Sequence, residues 1–178
     1  MPVPHSLPAT LPEVLQLPGR EAAVALRFEG SDLTYEQLRQ AADRTAGMAW
    51  HQWGVRPGDR VAWLGSNHPA QIALLFGLAR IGALLLPLNF RLAPAEWQGL
   101  LAATTPRHLV HDAPWAEAAL ALGRAGGLAV HAVAELDQPA PAAPDHAHAD
   151  APALLVFTSG TTGGPKAAVH TQGQLLAN

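Results

Sequence analysis

Between Val61 and Val133 the chain alternates short apolar runs, none with polar alternation, with segments of helical length, and few architectures accommodate that rhythm. Val61 to Leu64, Ala83 to Leu88, His108 to His111 and Leu128 to Val133 are the predicted strands. Ala70 to Ile81, Ala95 to Ala103 and Trp115 to Arg124 are the predicted helices between them. Asn67-His68-Pro69 opens the first of these helices and Gly82 closes it, while Asn89 and Arg91 tie down a turn. Strands that are apolar on both faces, joined by helical crossovers, predict a parallel sheet covered by helices on each side. The fold class is α/β.

One stretch inside this region, Ile72 to Leu88, is nearly long and apolar enough to span a bilayer. Arg80 at its middle would cost about 3 kcal/mol on insertion scales, and Gly82 and Pro87 interrupt the helix a span would need. A buried helix followed by a buried strand is the expectation, with no transmembrane segment.

Upstream, Ala22 to Tyr35 has the pattern of a β-hairpin, with Val24, Leu26 and Phe28 on one face and Glu29-Gly30-Ser31-Asp32 as the turn. Thr34 and Gln37 match a capping box for a helix running to about Trp53, ended by Gly54 and a Pro57-Gly58-Asp59 turn. The first residues lack a basic start followed by an apolar stretch, so no signal peptide is expected. Hydrophobic residues make up 49% of the chain and charged residues 14%, which excludes a disordered segment. A net charge of −3 without a basic cluster excludes nucleic acid as the main partner. The absence of cysteine excludes a disulfide framework and a thiolate nucleophile, and suits a reducing cytoplasm.

Glu135 to Pro152 is rich in Pro and Ala and is expected to be a surface linker. His146 and His148 within it lack a third or fourth metal ligand nearby, so a solvated loop is preferred over a metal site.

The chemistry concentrates after the apolar strand Leu154-Leu155-Val156-Phe157, which runs into Thr158-Ser159-Gly160-Thr161-Thr162-Gly163-Gly164-Pro165-Lys166. Three glycines allow backbone N–H groups to turn inward as an anion nest. Hydroxyls on Thr158, Ser159, Thr161 and Thr162 add neutral donors, and Lys166 adds a full positive charge. The loop suits a polyphosphate. It is not a Walker loop, because Pro165 replaces the second glycine, Ala167 replaces the Mg²⁺-binding hydroxyl, and extended chain rather than helix follows.

LLVFTSGTTGGPKAAVHTQGQLLAN resembles the phosphate-loop signature of the adenylate-forming (AMP-binding) superfamily. LTYEQL from Leu33 and GLARIGALLLPLNFRLAPAEW from Gly77 resemble two further core motifs in the same order. Within the superfamily the stretch through Asn67-His68-Pro69 and Asn89-Phe90-Arg91-Leu92 looks most like bacterial fatty-acyl-CoA synthases, with an aryl- or succinylbenzoate-CoA ligase as the alternative.

The resemblance implies activation of a small-molecule carboxylate, a fatty acid in the first instance, by ATP to an acyl-adenylate, followed by transfer to CoA. Thr158, Ser159, Gly160, Thr161, Thr162, Gly163 and Lys166 would hold the β- and γ-phosphates, and Thr158 would contact Mg²⁺. It also implies a cytoplasmic enzyme, and allows a homodimer for the full-length protein. The family's adenine- and ribose-binding motifs, hinge and catalytic lysine are absent, so no catalytic residue is identified within the chain. Residues 1–178 are expected to be an incomplete N-terminal adenylation domain, inactive alone; a non-catalytic remnant that binds a nucleotide or partner is the alternative.

Two departures from the family pattern bear on the loop. Ala167 stands where glycine is usual, which would cost about 1 kcal/mol if positive φ were required. Thr171-Gln172-Gly173-Gln174 replaces Thr-His-Gly-Asn. Finally, Leu154 to Phe157 is expected to be buried on both faces and to become an exposed edge without downstream cover, leaving the isolated chain poorly stable.

Overall fold

The apolar runs that carry no polar alternation become the centre of the sheet. The computed structural model describes residues 7–158 and 166–177. After a short helix α1 (Leu11–Val14), strands β1 (Val24–Phe28) and β2 (Ser31–Thr34) form a separate antiparallel hairpin. Phe28 pairs with Ser31 across Glu29 and Gly30, whose φ values of 49° and 79° define the two-residue turn that suits strand twist. Helix α2 (Tyr35–His51) begins with the reciprocal Thr34–Gln37 cap. Then follow β3 (Arg60–Leu64), α3 (Pro69–Arg80), β4 (Leu84–Leu88), α4 (Pro94–Thr104) and β5 (His108–His111). The chain continues through α5 (Ala116–Gly126), β6 (Ala129–Ala132), β7 (Pro152–Thr158), β8 (Lys166–Thr171) and α6 (Gln172–Leu176). Ile72 to Leu88 is thus a helix and a strand, and no helix among the described residues is long and apolar enough to cross a membrane.

The sheet order is β6-β5-β3-β4-β7-β8, parallel throughout except for the antiparallel β7–β8 pair. From β3 the chain steps one way to β4, then crosses back to β5 and continues to β6. Crossovers keep one hand, so a reversal of direction puts their helices on opposite faces. Accordingly Val61, Trp63, Leu85 and Val110 pack under α2 and α3 with Leu74, Leu78 and Ile81. Ala62, Leu64, Leu86 and Leu109 pack under α4 and α5 with Trp97, Leu101 and Leu122. Each such aliphatic side chain contributes about 1.5–3 kcal/mol by leaving water. Arg80, which argued against a bilayer span, pairs with Asp43 of α2.

Two expectations are refined. Residues 135–152 run over the surface, as expected of a linker, but are packed down rather than loose. Leu136, Ala143 and Ala151 are buried, His146 N–H donates to Arg80 O at 2.7 Å, and the His146 ring stacks on Trp50 at 5.3 Å. Gly47 of α2 lacks a Cβ where one would collide with the Pro141 carbonyl oxygen, which lets the segment lie flat on the helix. Second, β7 is not an edge. It lies between β4 and β8, with Leu155 buried on one face and Leu154, Val156 and Phe157 only half-buried.

Gln172 is fully buried. Its Oε1 accepts from Leu11 N–H at 3.0 Å and its Nε2 donates to Ala79 O at 2.9 Å, tying α1, α3 and the end of β8 together.

His108, at the amino end of β5, and His131 of β6 share a ring-to-ring hydrogen bond of 3.1 Å. His131 Nδ1 also meets Glu135 at 3.2 Å, and Trp53 stacks on the His131 ring with centroids 4.0 Å apart. Burial pushes both imidazoles below their ordinary 6.5, with Glu135 opposing that shift at His131 and Asp59 opposing it at His108. The unfolded chain therefore binds more protons just below pH 6.5, and stability falls as pH drops through that window. Denaturant midpoints at about pH 7.5 and pH 5.5 test this, above the range where carboxylates titrate. The midpoint should fall with acidification, and less steeply in His131→Gln. Equal midpoints at the two pH values would contradict the burial of the pair.

Candidate nucleotide-phosphate site

Strands β4 and β7 run parallel, so β7 delivers its last residue, Thr158, to the same carboxyl edge of the sheet as the ends of β3 and β4. That edge is where open parallel sheets bind ligands. Strand β8 returns antiparallel along β7 in the register Leu155↔Val169, Val156↔Ala168, Phe157↔Ala167 and Thr158↔Lys166. Residues directly opposite on paired strands lie about 5 Å apart. The segment 159–165 therefore starts and ends at one closed pair, which fixes both ends of the loop.

The Thr158 hydroxyl donates to the Lys166 carbonyl oxygen at 3.4 Å, a long bond that leaves its lone pairs free. Both residues are exposed. Lys166 is also the only lysine in the sequence, against ten arginines, so the chain's one compact ammonium sits at the exit of this loop. Ser159, Gly160, Thr161, Thr162 and Gly163, the other predicted phosphate contacts, lie outside the described residues. The concern over Ala167 is removed. It sits in extended chain opposite Phe157, and the non-glycine residues with positive φ among those described are Glu29 and Thr105. No group of three or more His, Asp, Glu or Cys among the described residues is placed to hold a metal, and His146 and His148 belong to no such group.

A cleft of about 880 Å³ opens beside Thr158, between the carboxyl ends of β3, β4 and β7 and the first turns of α4. Its walls are largely apolar, with Leu88, Phe90, Leu100 and Phe157 prominent. The turn after β4 is pinned: Asn89 Oδ1 accepts from Arg91 N–H at 3.0 Å, and Asn89 O accepts from the Trp97 indole N–H at 2.9 Å. Glu96 is occupied in capping, accepting from Ala93 N–H at 2.8 Å. Asn67 and Gln71 supply amides at the far wall.

Sequence reasoning placed the loop but missed this cleft. The available signal was Gly99, a glycine inside a helix where it costs about 1 kcal/mol relative to Ala. It lines the cleft, and a Cβ there would meet nothing within 4 Å.

This chain belongs to the AMP-binding enzyme family, whose profile matches residues 14–178. It is 43% identical over 157 residues to a feruloyl-CoA synthase of an Amycolatopsis species, covering 88% of this chain and 32% of that protein. It is 36% identical over 168 residues to an indoleacetate–CoA ligase of Aromatoleum aromaticum, covering 86% of this chain and 33% of that one. Among solved structures, an anthranilate CoA ligase in complex with anthranoyl-AMP superposes with a TM-score of 0.82 at 22% identity, over 94% of this chain and 36% of that one, a likeness of fold. The chain spans about a third of the length of the curated relatives it matches.

Substituting Gly99→Leu tests the openness of the cleft. The helix gains about 0.5–1 kcal/mol because glycine is relieved of its backbone entropy cost and a Cβ at this position meets nothing within 4 Å. The same side chain fills the cleft, so fluorescence of bound anilinonaphthalenesulfonate should fall. A loss of stability would show that Gly99 is packed rather than open.

Proposed function

We propose that Thr158–Lys166 holds the β- and γ-phosphates of ATP in an enzyme that activates a carboxylate as an acyl-adenylate and passes it to CoA. Residues 1–178 form the N-terminal part of the adenylating domain in this reading, which the threefold greater length of the relatives supports. The observation that carries it is the Thr158↔Lys166 pair, which sets a glycine- and hydroxyl-rich loop at the carboxyl edge of a parallel sheet.

Within the loop, Ser159, Thr161 and Thr162 offer hydroxyl and backbone donors, and Gly160 and Gly163 admit close approach of the main chain. Lys166 balances charge on the departing pyrophosphate as it develops. Mg²⁺, when bound with the nucleotide, neutralises phosphate charge. The lone pairs of Thr158 Oγ1 would suit a hard cation alongside phosphate oxygens; among the described residues no carboxylate cluster stands with it. The thiol of this reaction is that of CoA. ATP and CoA supply is that of the cytoplasm.

For the acyl group, the apolar cleft beside Thr158 accepts a hydrophobic body. The motifs around Asn67 and Asn89 favour a fatty acid. A second reading, an aromatic acid, is favoured by the feruloyl and indoleacetate ligases among the relatives.

ATP–pyrophosphate exchange on the complete protein tests the proposal. Lys166→Ala should lower exchange by on the order of 10²-fold, the scale of losing one charge-stabilising donor. Its melting temperature should hold, because Lys166 is exposed. Unchanged exchange in the variant removes Lys166 from the mechanism. No exchange in the unaltered protein with any of palmitate, ferulate or indoleacetate favours the non-catalytic remnant, and the acid that supports the fastest exchange decides between the two substrate classes.

A further inference from the structure

A second cleft, of about 490 Å³, lies on the opposite face of the sheet, between α2, the first turn of α3 and the 3-10 turn Val133–Asp137. Arg44 and Thr45 of α2 line it. Arg44 carries a buried Nε without a hydrogen-bond partner, and among the described residues it joins no ion pair. The acids of its own helix are engaged elsewhere. Glu36 binds Arg39 and Gln40, and Asp43 binds Arg39 and Arg80.

Thr45 is 1% exposed, yet its Oγ1 meets no partner. A helical threonine usually returns its hydroxyl to the carbonyl four residues earlier. This one does not; the hydroxyl is closed off where α2 packs on Gly77 of α3, so it lies beneath the cleft floor rather than in reach of a ligand. His68 completes the polar set. Its Nδ1 accepts from Ala70 N–H at 3.1 Å, which leaves the proton of the neutral ring on Nε2, a further donor lining the cleft.

We propose that this cleft is a binding site for a small monocarboxylic acid, with the outer nitrogens of the Arg44 guanidinium holding the carboxylate and His68 beside them. Arg44 and His68 both line the cleft and bring it one formal positive charge. Asp137, at the exposed rim of the same cleft, sets a limit on negative charge and disfavours a phosphate dianion. Leu33, Ala41, Ala73 and Leu136 supply apolar wall for a compact hydrophobic body. The site stands on the other side of the sheet from Thr158 and Lys166, and its existence does not depend on the adenylation reading.

Isothermal titration of the complete protein with benzoate, and separately with inorganic phosphate, tests the assignment. Benzoate should bind and phosphate should not. Arg44→Gln should weaken benzoate by about tenfold or more, as expected for losing a charge-assisted hydrogen bond, and Thr45→Val should leave it unchanged because that hydroxyl is closed off from the cleft. Both variants should melt cooperatively, since neither removes a partner from another residue. The cleft beside Thr158 can also take an aromatic acid, so Gly99→Leu, which fills it, should remove that component of the heat and leave the Arg44-dependent component intact. Three results would overturn the proposal: no benzoate heat up to about 10 mM, phosphate binding tighter than benzoate, or benzoate binding lost in Gly99→Leu but kept in Arg44→Gln.

Discussion

The buried amide of Gln172 secures the part of the sheet that carries the candidate site. Strand β7 joins the parallel core through a narrow contact in which Leu85 and Leu154 are the paired residues. Strand β8 then follows β7 over almost its whole length. A hairpin attached so narrowly needs a second anchor, and Gln172, directly after β8, provides it. One amide meets chain positions 161 and 93 residues away, and removing it would strand the Leu11 N–H and weaken the shell of the Ala79 carbonyl. Each such buried group costs about 1–3 kcal/mol when left unmet. The register Thr158↔Lys166 at the candidate site is therefore held from outside segment 159–165.

The other organising constraint is the single reversal of direction at β3. With crossovers of one hand, it distributes α3 to one face and α4 and α5 to the other, and each face acquires its own cleft. The cleft under α4 shares the carboxyl edge with Thr158 and is mostly apolar. The cleft beside α2 is walled in part by Arg44, whose Nε remains unmet. The same topology sets the first cleft beside the candidate phosphate site and the second on the opposite face.

Local signals carried much of this architecture. The Thr34–Gln37 cap, the strand at His108–His111 and the helix-then-strand division of Ile72 to Leu88 all depend on residues close in sequence, where capping, punctuation and apolar periodicity act. What stayed hidden depends on distant partners. Composition alone makes residues 135–152 look like a linker, because Pro and Ala give no periodic face. Their packing comes from Gly47 on α2 and from the Arg80 carbonyl. The extended character of Ala168-Val169-His170 was legible, but its pairing with β7 was not, so β7 looked like an edge. Gln172 gave no sign of burial, since a glutamine in a five-residue helix is ordinarily solvated. Of the candidate site, Thr158 and Lys166 were identified from the loop pattern, whereas the apolar cleft assembled from β4, α4 and β7 was not.

The central claim is that the segment between β7 and β8 holds the triphosphate of ATP. Hydrogen–deuterium exchange on the complete protein, with and without Mg·ATP, tests it most directly. The account predicts slowed exchange across residues 158–171, because nucleotide phosphates engage the loop's backbone N–H groups and steady the hairpin that frames them. It predicts no change at residues 37–45 of α2, which face the other cleft. Unaltered exchange across 158–171 under saturating Mg·ATP would contradict it.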